Sequence, residues 1–98
     1  MTTRRWHVRS GRGTAARVVF GVTAIFALIE AIYILLIVLG ANTANGFYTF
    51  IRSLAEPLAL FFPGLFATGN FHLDVILNYG LAAVFWLVVG SILARIIA

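Results

Sequence analysis

The chain has 98 residues, of which 62% are hydrophobic and 10% charged. Soluble domains carry about 25% charged residues, so this composition excludes an ordinary soluble domain and points to a small integral membrane protein with no room for a second domain. Seven Arg and no Lys stand against three acidic residues, a formal net charge of +4 at pH 7, and the absence of cysteine excludes disulfides, thiolate metal centres and cysteine nucleophiles.

Residues 1–17, MTTRRWHVRSGRGTAAR, form a basic tail carrying five of the seven Arg: Arg4, Arg5, Arg9, Arg12 and Arg17. Such a tail sets orientation, because cytoplasmic segments beside a span are rich in Lys and Arg, and it suits binding to anionic lipid head groups. No recognition motif accompanies it, so no nucleic-acid partner is expected. Trp6 is expected at head-group level, where amphipathic rings prefer to lie.

Residues 18–39, VVFGVTAIFALIEAIYILLIVL, carry one charge, Glu30. As a helix the run is roughly 33 Å long, enough to cross a hydrocarbon core, and it lacks the polar face of a soluble helix. It is longer than the 7–15 residue core of a signal peptide, so the reading is an uncleaved first transmembrane helix with its N-terminus in the cytoplasm. Gly21, Ala24, Ala27, Leu28 and Ala31 fall near one face, where small residues let another helix approach. Thr23, Ala27 and Glu30 also share a face, which turns Glu30 toward protein. A carboxyl at mid-bilayer is expensive and marks a site. The second span offers no cation at its depth, so burial favours the neutral acid, held by a backbone or hydroxyl group or by another subunit.

Residues 40–70 read as an extracytoplasmic loop. Gly40–Gly46, GANTANG, breaks the helix. In 47–58 the apolar Phe47, Phe50, Ile51, Leu54 and Leu58 follow helical spacing, with Thr49, Arg52, Ser53 and Glu56 on the other side. That predicts a short amphipathic helix lying in the membrane interface, with Arg52 and Glu56 placed to pair. Pro57 and Pro63 bracket a segment too short to span, either re-entrant or packed over the span ends. Asn70 is placed to cap the next helix.

Residues 71–98 form the second transmembrane helix, uncharged from Val75 to Ala94. Gly80, Ala83, Gly90 and Ala94 lie close to one face and are expected to meet the Gly21, Ala24 and Ala31 face of the first span. Arg95 snorkels to the cytoplasmic surface. The predicted fold is an all-α membrane protein: two transmembrane helices in a hairpin, both termini cytoplasmic, with an interfacial helix in the connecting loop.

Little enzyme chemistry is available. His72 and Asp74 are two polar residues at a helix mouth, short of the three or four ligands a metal needs. The phosphate-loop, zinc-protease and nucleophile-elbow motifs are absent. No span carries a histidine within its apolar run to hold a haem. No enzyme activity, cofactor or small-molecule substrate is expected.

The stretch from Asn45 to Asp74 resembles the YggT family of small bacterial membrane proteins. The residues that carry the resemblance are Asn45, Leu54, Pro57, Leu58, Pro63, Gly69, Leu73 and Asp74. The chain departs from that pattern at Ala59, Phe61 and Phe62, where the family has basic residues, and in having one copy of a unit the family often repeats. The resemblance implies a bacterial integral membrane protein and transfers no active site. The expected function is a non-catalytic accessory or structural subunit of a larger assembly in the bacterial cytoplasmic membrane, a respiratory complex or supercomplex being one such host, with other integral membrane subunits as partners. The alternative is an ion- or proton-handling homo-oligomer built on Glu30.

Overall fold

The computed structural model describes the backbone of residues 2–98 and the side chains of residues 11–98. The sequence readings on Arg4, Arg5, Trp6 and Arg9 lie outside the described side chains. The described residues fold into three helices: α1 (Thr2–Val38), α2 (Gly46–Leu58) and α3 (Phe71–Ile97).

Local chemistry sets the helix ends. Gly40, at φ 75°, terminates α1 in a Schellman motif: the Ala41 N–H donates to Leu36 O (2.8 Å) and the Gly40 N–H to Ile37 O (3.1 Å). Asn45 caps α2, its side chain accepting from the Phe47 N–H at 2.8 Å. Asn70 caps α3 as the sequence predicts, accepting from the Leu73 N–H at 3.1 Å. α2 gives way after Pro57 and Leu58, and Leu60 follows at φ 58°, a left-handed conformation without glycine's freedom.

α1 and α3 run antiparallel. Thr23 and Phe20 meet Gly90, the Phe26 ring meets Trp86 edge-on at 5.0 Å, and the Tyr33 ring meets Tyr79 at 5.0 Å. Residue numbers rise on one helix as they fall on the other. The buried line on α1 is Ala16, Thr23, Ala27, Glu30 and Tyr33; on α3 it is Val75, Asn78, Ala82 and Gly90. Of the small residues picked from the sequence, Ala27 and Gly90 are buried, and Gly21, Ala24, Gly80, Ala83 and Ala94 are half-buried. Ala31 is exposed and outside the interface. Its expected role there is corrected because the buried line passes from Ala27 to Glu30 and Tyr33, one residue earlier on the helix surface. Leu28 is likewise 57% exposed.

Residues Gly11–Val38 of α1 and Phe71–Ile97 of α3 are long and apolar enough to cross a membrane. Only 22% and 11% of their most apolar windows is buried, whereas a core helix of a soluble protein hides such a surface. Val18, Val22, Ile25, Leu28 and Leu35 on α1, with Ile76, Val84, Val88 and Ile92 on α3, point outward.

α2 packs along the last third of α1. Tyr48, Ile51 and Ala55 are buried there, against Ile29, Ile32, Tyr33, Leu36, Ile37 and Ala41. The protein-facing side is therefore Tyr48–Ile51–Ala55, continued by Ala59. Phe47 and Phe50, expected on the same face as Ile51, are 54% and 59% exposed. The apolar residues of α2 form one wide arc, and spacing alone did not separate the part that meets α1 from the part beside it.

The chain then reaches down beside α3 and returns. Trp86 Nε1 donates to Leu58 O at 2.8 Å, which sets Leu58 level with Phe26, twelve residues or roughly 18 Å below the Val38 end of α1. Phe61 and Phe62 stack on each other and lie against Phe85. On the way back, buried Asn78 pairs with the Phe66 backbone in both directions, accepting from its N–H at 2.9 Å and donating to its carbonyl at 3.1 Å. Asp74 closes the return by accepting from Thr68 N–H (2.8 Å) and Thr68 O–H (2.6 Å).

Candidate functional site

The three helices meet at a cluster of four polar side chains. α1 contributes Glu30 and Tyr33, which are three residues apart and so on one face. α2 contributes Glu56, one turn beyond Arg52. α3 contributes Tyr79. The Tyr33 hydroxyl donates to Glu56 Oε1 at 3.0 Å, and the Tyr79 hydroxyl donates to the same oxygen at 2.5 Å. One carboxylate oxygen thus ties α1 and α3 to α2. Tyr33 is further packed between the rings of Tyr48, at 6.0 Å, and Tyr79.

This arrangement replaces the expected Arg52–Glu56 pair. Arg52 stays exposed, while Glu56 is taken up by two phenols. A hydrogen bond to an ionised acceptor is stronger than a surface ion pair of long side chains, and the tyrosines, held by packing, lose little freedom in making it.

Glu30 is 0% exposed, and neither carboxyl oxygen has a hydrogen-bond partner among the described residues. It lies within electrostatic reach of Glu56 and Tyr79. The backbone or hydroxyl contact expected from the sequence is not made, and Glu30 is closed off by its own chain, so it presents no surface to another subunit. An unpaired buried carboxylate is costly. A pair of carboxyl groups and two phenols, without a cation in the group, can hold and exchange a proton; it has no nucleophile activated by a base.

The other positions singled out by sequence stand apart from this junction. Thr68 rather than His72 is the partner of Asp74, and the His72 ring lies against Phe71 at 5.8 Å. Among the described residues no three His, Asp or Glu side chains gather to hold a metal ion. Arg12 and Arg17 are exposed on the first turns of the apolar stretch of α1. Sequence reasoning assigned no role to Tyr79, Asn78 or Trp86. Their one signal was polar atoms on a span at the depth where the loop has to be satisfied.

No protein-family model matches the chain, and no curated protein or solved structure matches it.

Proposed function

We propose that the protein is a non-catalytic accessory subunit of a larger assembly in the bacterial cytoplasmic membrane. α1 and α3 cross the bilayer as a hairpin with both termini in the cytoplasm, and the connecting segment starts on the outer side, dips into the membrane beside α3 around Leu58–Phe62 and returns. The observation that carries this reading is the distribution of side chains. The apolar ones of both long helices face outward around the pair, and the polar ones of the three-helix junction are directed at one another. An outward apolar surface suits lipid and neighbouring helices, and exposed Ala31 offers a small residue on it. Arg12 and Arg17 at one end, and Arg95 at the same end of α3, suit a cytoplasmic surface rich in anionic lipid. The resemblance to the YggT family supports the same setting. A respiratory complex or supercomplex remains the proposed kind of host.

The test is isolation from native membranes in mild detergent, with light scattering for mass and mass spectrometry for composition. A defined, stoichiometric set of other integral membrane proteins supports the reading. A monomer, or a homo-oligomer alone, overturns it.

A further inference from the structure

Glu30 poses a problem that the subunit role leaves unanswered. Among the described residues its side chain is the largest fully buried one, and both its oxygens are unbonded there. A carboxylate stripped of water, of hydrogen bonds and of a counter-charge is strongly disfavoured, and what relieves it is a bound proton. The titratable groups around it come from all three helices: Tyr33 from α1, Glu56 from α2 and Tyr79 from α3. Arg52, one turn before Glu56 on α2, is exposed.

A second observation concerns access. Glu56 is exposed, and it ends a polar strip on α2 formed with Thr49, Arg52 and Ser53, all exposed. This strip runs along α2 from the loop end of the molecule to the level of the junction. Glu56 therefore links the junction beside Glu30 to an exposed polar strip, its carboxyl held in place by the two tyrosine hydroxyls.

We propose that Glu30 is a reversible proton-binding site whose occupancy is coupled to the charge of Glu56. Binding forms the O–H bond on the Glu30 carboxyl and neutralises it. Release breaks that bond and returns the proton to water. No electron moves and no other reactant takes part. The proposal goes beyond the subunit role and does not depend on the identity of the host.

The test is infrared spectroscopy of the full chain in lipid vesicles across a pH series, read at the carboxylic C=O band with carbon-13-labelled glutamate. The chain has only two glutamates, so the label separates Glu30 and Glu56 from Asp74. The expected result is a protonated-carboxyl band at neutral pH that titrates at higher pH and is lost in Glu30→Gln. In Glu56→Gln the band persists with a moved midpoint, and because Glu30 is then the only glutamate, this variant gives the answer even if Glu30→Gln does not fold. Absence of the band at neutral pH, or an unchanged midpoint in Glu56→Gln, overturns the proposal. A band that disappears with added sodium at constant pH and ionic strength also overturns it, in favour of a cation site.

Discussion

Thr23 on α1 lies directly over Gly90 on α3: a Cβ built at Gly90 would overlap the Thr23 hydroxyl and stand 2.9 Å from Thr23 Cβ. Glycine is required at this crossing because the two backbones approach closely, the arrangement small residues permit between apolar helices. Gly90→Ala therefore pushes the helices apart and lowers stability by about 1–3 kcal/mol. Gly80→Ala, where a Cβ would meet nothing within 4 Å, gains up to about 1 kcal/mol from helix propensity. Unfolding in detergent followed by circular dichroism compares the two, and Thr23→Gly added to Gly90→Ala should restore part of the loss.

The loop's return path rests on Asn78. Replacing it by Leu leaves the N–H and carbonyl of Phe66 without their partner, at about 1–3 kcal/mol for each group kept from water. The expected outcome of Asn78→Leu is faster amide exchange and proteolysis confined to residues 60–70, with α1 and α3 unaffected. Equal protection in the variant and the parent would show that the loop is held by other contacts.

Much of the fold was legible in the sequence, and what was hidden follows one rule. The GANTANG break and the Asn70 cap are local signals and mark where α1 ends and α3 begins, whereas the apolar run Val18–Leu39 marks the span but not the start of its helix, which extends back to Thr2 through the residues read as a tail. The partners of Trp86, Asn78 and Tyr79 lie 12–28 residues away, and nothing local records them. Periodicity also left open which part of a wide apolar arc meets protein. On α2 it grouped Ile51 with Phe47 and Phe50, although packing on α1 selects Tyr48, Ile51 and Ala55. The candidate site was half-visible: Glu30 stood out by its depth, but Glu56 looked like half of a surface ion pair.

Leu60 adopts φ 58°, a conformation that costs a non-glycine residue about 1–2 kcal/mol. Leu60→Gly removes that cost and gives back part of it as unfolded-state entropy, so a net gain of up to about 1 kcal/mol is expected. Leu60→Val, stiffer at χ1 and still left-handed, should lose stability. Thermal unfolding of the two variants distinguishes them by sign.

Glu56 binds both tyrosines, so Tyr33→Phe and Tyr79→Phe should not be additive. Each single change is expected to cost about 1–2 kcal/mol, in the range of a hydrogen bond to a charged acceptor discounted for Glu56 exposure. In the Glu56→Ala background each should cost close to nothing. A full effect of the tyrosine changes in that background would place their stabilisation in ring packing alone.

That both long helices cross a membrane, in opposite senses, is tested most directly by single-cysteine labelling, since the chain has no cysteine of its own. Ser10→Cys and Thr49→Cys are each treated in intact cells with a membrane-impermeant thiol reagent. The expected result is labelling at position 49 from outside, and labelling at position 10 only after the membrane is opened. Labelling at position 10 in intact cells, or protection of position 49 until the membrane is opened, would contradict it.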